Sequence, residues 1–266
     1  MVTGASGNLG KLICNALNLD GYEVRRASSK RVNDVYFLDF ENFEGGNLKS
    51  VLPETEVVIH CARVTNLDSK VALAAELEFL NMLFMSGCKV VYIGSASSWL
   101  KTPSKYGKYK STIEELVIES GGIVITAGLI YGSNFHGQIQ QLKKFLLFSP
   151  VRIIFNPVNS LYLTQIDHFL QVLNFLARDT TGKGRYLVSH SVPISFNSIL
   201  KYFCLPGYRI PLRINSRLFL KFLKFLPVSS SYFSIDSFSS LLSEYDSVKI
   251  DNLGIQHISN GVFQAS

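Results

Sequence analysis

Cysteine is scarce in this 266-residue chain: there are four, Cys14, Cys61, Cys88 and Cys204. They are widely spaced, with no Cys-x-x-Cys pair and no secretory leader ahead of them. That argues against a disulfide framework or a thiolate zinc site and suits reduced thiols in the cytoplasm. The five histidines, His60, His136, His168, His190 and His257, form no metal-binding motif, so packing or capping roles are expected and no metal is. Long hydrophobic runs are missing as well. The most apolar stretch, "RLFLKFLKFLP" at 217–227, is shorter than the about 20 residues a membrane span needs. As an amphipathic helix it would pack in the core or against a second copy, which leaves a homodimer open. Charge is modest at 17% of residues, and the net +6 suits an anionic ligand. The cations are scattered, however, and no nucleic-acid motif accompanies them.

What remains is a soluble, 47% hydrophobic chain, long enough for one substantial core or a large domain with a small one attached. It opens "MVTGASGNLGKLICNAL", a strand stub, then glycines at 4, 7 and 10, then a helix with Leu9, Ile13 and Leu17 four apart. Short β-branched runs follow: "YEVRRAS", "DVYFLDF", "EVVIHCA", "CKVVYIGS" and "GGIVITAGLIYG". The segments between them are mostly long enough for crossover helices, which predicts an α/β fold with a doubly wound parallel sheet. After Gly132 the alternation weakens. "RYLVSH" at 185–190 reads as one more strand, and the rest as mostly helical or irregular, with a Ser-rich loop at 229–240. The expected division is a dinucleotide-binding Rossmann domain over 1–133, rejoined by about 160–190. A smaller substrate-binding region would comprise 134–159 and 191–266.

Glycines at a strand-to-helix junction let backbone approach a pyrophosphate, whose charge is favoured by the exposed N–H groups of the helix N-terminus. Gly4, Gly7 and Gly10, with Ser6, Asn8 and Leu9 between them, are therefore candidate dinucleotide contacts. At the end of the second strand an acid would hold a free ribose 2′-hydroxyl and repel a 2′-phosphate. The sequence there is "RRASSKR". Ser28, Ser29 and Lys30, beside Arg26 and Arg31, suit the extra phosphate, so NADP is expected in preference to NAD.

The stretch "SKYGKYK" at 104–110 crowds lysines around tyrosines. A phenol is a poor acid and a worse base at neutral pH unless a neighbouring cation stabilises its anion. Residues four apart share a helix face, so Tyr106 and Lys110 form such a pair, whereas Lys105 and Lys108 point elsewhere.

These motifs together resemble the extended short-chain dehydrogenase/reductase family, also called the NAD-dependent epimerase/dehydratase family. "VTGASGNLG" is similar to its opening motif, Asp39 in "FLDF", followed by Phe40, to its adenine-contacting acid, and "VVIHCAR" to its fourth-strand motif. The last of these brings Cys61, Ala62 and Arg63 to the cofactor. "VVYIGSASSW" resembles the strand carrying the active-site serine, which maps onto Ser95. "AGLIYG" at 127–132 and "DSVKIDNLG" at 246–254 resemble later family segments. The resemblance implies that Tyr106 is the general acid/base, that Lys110 supports it and holds the nicotinamide ribose, and that Ser95 orients the substrate oxygen. Dehydratases of the family carry an Asp-Glu pair directly after that serine, where this chain has Ala96 and Ser97. The expected activity is NADPH-dependent carbonyl reduction, with a nucleotide-activated keto sugar as the expected substrate. The alternatives are a sugar-nucleotide 4-epimerase and a non-catalytic NADP-binding sensor or scaffold. Two departures stand out: Met1 falls where the family has further first-strand residues, and only ten residues separate Ser95 from Tyr106.

Overall fold

The computed structural model describes residues 1–30, 35–43, 54–64, 66–101, 103–132, 137, 139–140, 142, 151–157, 159–179, 181–203, 210–216, 218–219 and 241–259. Arg31, His136, Cys204, the Ser-rich 229–240 stretch and all of the 217–227 segment except 218 and 219 lie outside them.

Among the described residues the main sheet has eight strands. We label them β1 (Val2–Thr3), β2 (Arg26–Ser28), β3 (Tyr36–Phe37), β4 (Val57–His60), β5 (Lys89–Ile93), β6 (Ile123–Ala127), β7 (Gly184–Ser189) and β8 (Gln256–Ser259). Their spatial order is β8-β7-β6-β5-β4-β1-β2-β3, and every pairing is parallel. The chain therefore runs outward from β1 through β2 and β3, then crosses to the other side of β1 to begin again at β4. Such a reversal opens a crevice at the carboxyl ends of the two central strands.

Strand residues alternate between the two faces of the sheet, and each face is closed by helices. Val58, Val90, Tyr92 and Val124 pack under α2 (Lys70–Met85) and α3 (Lys105–Glu119). Ile59, Val91, Ile93, Ile123 and Ile125 pack under α1 (Asn8–Leu19) and α4 (Ile166–Arg178). The helices present matching stripes: Ile13, Cys14 and Leu17 on α1, and Phe79, Leu80 and Leu83 on α2, spaced to share one face. Fully burying each large aliphatic or aromatic side chain contributes about 1.5–3 kcal/mol. Ser69 and Ser104 cap α2 and α3 by accepting from Ala72 N–H (3.1 Å) and Gly107 N–H (3.2 Å).

A third apolar cluster lies beyond the main sheet, formed by Phe155, Leu161, Leu163, Phe196, Ile199, Leu241 and their neighbours. Here the structure corrects two readings of the sequence. "GGIVITAGLIYG" is two strands, because the chain leaves the sheet at Gly128, where a Cβ would strike the Tyr162 carbonyl oxygen. Leu129–Tyr131 then pairs with Leu163–Gln165. The region after 190 also holds more strand than expected. Ile210–Asn215 pairs in parallel with Val151–Asn156, Ile194–Ser195 pairs with Ser160–Leu161, and β8 edges the main sheet. "IPLRIN" alternates apolar and polar residues as a strand should, but Pro211 disguises it, being a residue confined to edges. No helix among the described residues is long and apolar enough to cross a membrane.

Candidate active site

At the switch point the backbone turns sharply from β1 into α1. Gly4 adopts φ +64°, and a Cβ there would lie 2.8 Å from the Ala62 backbone nitrogen. A Cβ on Gly10 would run into the Gly4 carbonyl oxygen and stand 3.0 Å from Ala5 Cα. Only glycine lets the three segments meet this closely. Gly7, at the cap position of α1, brings no side-chain acceptor of its own to the start of the helix.

A cleft of about 300 Å³ opens over this turn. The turn lines it with Gly4, Ser6, Gly7, Asn8, Leu9 and Gly10. The end of β2 adds Ser28 and Ser29, the segment after β3 adds Asp39 and Phe40, and the segment after β4 adds Cys61, Ala62 and Arg63. The sequence named all of these. Ser6 and Ser28 share a hydrogen bond between their hydroxyls at 2.6 Å, and Lys30 N–H donates to Ser28 Oγ at 3.1 Å. Lys30 itself is exposed and outside the lining. Asp39 is held in a local turn by Glu41 N–H and the Asn42 amide, each at 3.1 Å. Burial pushes the Cys61 thiol up to about 12, so it borders the cleft as a protonated, unreactive group. Sequence reasoning missed Leu38, Glu41 and Val64, which also line the cleft. Their adjacency to Asp39, Phe40 and Arg63 was the available signal.

The second cluster sits on α3 and the end of β5. Tyr106 and Lys110 lie one turn apart, and Lys110 Nζ stands 5.9 Å from the centre of the Tyr106 ring. Lys110 is buried, donates to the Ile93 carbonyl at 2.9 Å and lies 4.3 Å over the Tyr92 ring. Lys105 and Lys108 are exposed, as their places on the helix require, and Lys105 pairs with Asp68 at 2.6 Å. Neither Tyr106 nor Lys110 is part of the cleft lining. Arg63 connects the two regions: it lines the cleft while its guanidinium stands 5.7 Å from the Tyr106 ring centre, within cation–π range.

Ser95 follows β5 and caps a short 3-10 turn, Ala96–Trp99, accepting from Ser97 N–H at 3.3 Å. Its own N–H donates to Glu114 Oε1 at 3.0 Å, and Ser98 Oγ donates to Glu114 Oε2 at 2.9 Å. Glu114 lies one turn beyond Lys110 on α3 and is buried, with Arg185 at 3.6 Å. It ties the serine segment to the helix that carries the tyrosine. The ten-residue span to Tyr106 is also fastened from outside, by Lys101 N–H to Glu244 O (3.0 Å), Asp246 N–H to Trp99 O (2.8 Å) and Lys249 Nζ to Ser98 O (2.8 Å).

Glu114→Ala is expected to leave the Ser95 N–H without its acceptor, at about 1–3 kcal/mol, measurable by urea unfolding, while the Ser98 hydroxyl keeps the Ser95 carbonyl at 2.8 Å. Burial raises the Glu114 carboxyl above its ordinary value, against the opposing hydrogen bonds and nearby cations. The folded state then holds this proton more tightly than the unfolded chain does. Its contribution to stability therefore falls as pH rises through the raised value, and Glu114→Gln flattens that part of the stability profile.

Residues 1–117 match the model of the NAD dependent epimerase/dehydratase family. Solved structures share the whole fold. A dTDP-4-dehydrorhamnose reductase from Bacillus anthracis in complex with NADP superposes with a TM-score of 0.64 at 18% identity, covering 97% of this chain and 93% of the other. A Thermus thermophilus UDP-glucose 4-epimerase in complex with NAD gives 0.59 at 15% identity, covering 91% and 97%. A dTDP-glucose 4,6-dehydratase from Bacillus anthracis in complex with NAD gives 0.60 at 12%, covering 90% and 94%. No curated protein sequence matches the chain.

Proposed function

We propose that the chain is an NADPH-dependent carbonyl reductase of the extended short-chain dehydrogenase/reductase type, acting on a nucleotide-activated keto sugar. The observation that carries this reading is the Tyr106–Lys110 pair on one face of α3, bridged to the glycine-turn cleft by Arg63. The turn supports a dinucleotide on steric grounds: Gly4 and Gly10 let it pack against Ala62 and the Gly4 carbonyl more closely than any side chain would allow, which brings the start of α1 to the cleft lining.

In this reading the turn and the start of α1 hold the pyrophosphate through backbone N–H groups. Ser28 and Ser29 meet the adenosine ribose and its 2′-phosphate, and Asp39 and Phe40 border the adenine. When bound, NADPH supplies the hydride. Tyr106 gives a proton to the substrate oxygen, Lys110 stabilises the phenolate that remains, and Ser95 orients that oxygen by a hydrogen bond. Ala96 and Ser97 offer no second acid and base for eliminating water, which favours reduction or epimerisation over dehydration. The absence of an acid at the end of β2 favours the phosphorylated cofactor and, with it, net reduction.

The test is a screen of keto-sugar nucleotides and simple ketones for NADPH oxidation. Consumption with a keto-sugar nucleotide supports the proposal. Tightly retained cofactor with no net absorbance change points to a 4-epimerase, and cofactor binding without turnover of any substrate to a sensor. Cofactor choice has its own check. Ser29 is exposed and lines the cleft, so Ser29→Asp places a carboxylate facing the 2′-phosphate at little folding cost. Like charges a few ångströms apart near a surface repel by about 1–4 kcal/mol. NADPH affinity is therefore expected to fall by about tenfold or more relative to NADH, read by fluorescence titration with each nucleotide.

A further inference from the structure

Beneath the cleft runs a chain of buried polar side chains that the catalytic reading does not use. Thr3 and His60 are register partners on β1 and β4, and their side chains meet, Thr3 Oγ1 to His60 Nδ1 at 2.7 Å. The other ring nitrogen of His60 lies 3.0 Å from Glu76 Oε1 on α2. Glu76 Oε2 accepts from the Tyr109 hydroxyl on α3. Thr3, His60 and Glu76 are fully buried and Tyr109 nearly so.

Both ends of this chain return to one short piece of backbone. Ala62 N–H donates to Thr3 Oγ1 at 3.2 Å, and Val64 N–H donates to the Tyr109 hydroxyl at 3.3 Å. The segment so held, Cys61–Val64, forms one wall of the cleft. The circuit thus closes on itself: Ala62, Thr3, His60, Glu76, Tyr109, Val64.

One assignment of protons satisfies every group. Thr3 Oγ1 accepts from Ala62 and donates to His60 Nδ1, and Nε2–H donates to Glu76. Tyr109 accepts from Val64 and sends its own proton to the other Glu76 oxygen. With His60 neutral and Glu76 ionised, every proton in the circuit finds an acceptor and the carboxylate receives from both sides. Burial, reinforced by the Glu76 charge, holds the Tyr109 phenol well above its ordinary value, which keeps it a donor.

We infer that Thr3, His60, Glu76 and Tyr109 are positioning residues that set the Cys61–Val64 wall of the cleft for the dinucleotide. This rests on the reading of the cleft as a cofactor site. Buried networks of this kind are worth more intact than their separate bonds, since a buried group left unpaired costs more than a bond gains. Within the wall Val64 is buried in the core, Ala62 and Cys61 are half-buried against it, and Arg63 is exposed. Arg63, which reaches from this wall to the Tyr106 ring, takes its direction from the same two anchored amides.

The test uses the whole chain with and without NADPH. Tyr109→Phe removes one anchor, and Thr3→Val removes the other, with Thr3→Ser restoring it. The control is Tyr92→Phe, since the Tyr92 hydroxyl is also buried and has no hydrogen-bond partner among the described residues. Hydrogen exchange on the free protein should show faster exchange at Val64 in Tyr109→Phe and at Ala62 in Thr3→Val. NADPH dissociation constants should rise about tenfold in both, well below their unfolding temperatures, and return with Thr3→Ser. Tyr92→Phe should change neither readout. A purely structural role would lower the unfolding temperature of the variants while leaving exchange at the two amides and the dissociation constant as they were, and that result overturns the inference. If Tyr109→Phe does not fold, the Thr3 pair decides alone. If the parent chain binds no NADPH, the proposed function fails, while the exchange experiment still decides whether the circuit holds the wall.

Discussion

Tyr106→Phe is expected to abolish carbonyl reduction while leaving NADPH binding within about twofold. The hydroxyl is the only atom lost, and a positioned general acid accelerates proton transfer by about a hundredfold to ten-thousandfold. Little should happen to the fold. Tyr106 is only partly buried, and its ring, the part that packs beside Tyr109, Arg63 and Lys110, stays in place. In the proposed reading cofactor affinity depends chiefly on the glycine turn and on the segments after β2, β3 and β4, and a phenylalanine ring keeps the contact with Arg63 of the last of these. Single-turnover absorbance at the nicotinamide band separates the two effects. Loss of turnover with retained binding is the expected pattern. Loss of both would mean that the tyrosine serves the cofactor site structurally, and loss of neither would remove it from the chemistry.

Gly10→Ala should act in the opposite sense, on binding and stability before chemistry. Its added methyl would meet the Gly4 carbonyl oxygen, with Gly4 C at 2.9 Å and Ala5 Cα at 3.0 Å. All three are backbone atoms with no rotamer to yield, so α1 must move away from the turn. Overpacking of this kind costs about 1–3 kcal/mol. For a chain of this size that is a fall of about 2–4 °C in unfolding temperature per kcal/mol. The displacement also takes the N–H groups of the helix start out of line with the pyrophosphate, so NADPH affinity should drop by about tenfold or more. Calorimetry and titration on the same preparation check both, and unchanged affinity would detach the glycine turn from cofactor binding.

The parts of the molecule that were legible in the sequence are those written in short-range pattern. Buried parallel strands such as "VVIH" and "KVVYI" are near-continuous apolar runs, and α1 shows its stripe at four-residue spacing. Lys110 follows Tyr106 by one helical turn, so their pairing needed no tertiary information. Other features depend on residues far apart in the chain. The Ile210–Asn215 strand exists because Val151–Asn156 offers it an edge, and Pro211 hides it from local reading. Glu114 shares a helix face with Lys110, yet its role comes from Ser95 and Ser98, which reach it only once β5 and α3 are packed. The buried circuit was least visible of all. His60 read as an ordinary core histidine, and Thr3, Glu76 and Tyr109 carried no local signal. Its bonds join residues 59, 57, 16, 33 and 45 positions apart.

The central claim, that a lysine-supported phenol faces a dinucleotide bound over the glycine turn, is tested most directly by a crystal structure of the chain grown with NADPH. The expected density has the pyrophosphate against Gly4, Gly7 and the start of α1, the adenosine beside Ser28 and Asp39, and the nicotinamide ribose within about 3 Å hydrogen-bond reach of Tyr106 or Lys110. Density that leaves this cleft empty at saturating NADPH, or a Tyr106 hydroxyl turned away from the bound nicotinamide, would contradict it.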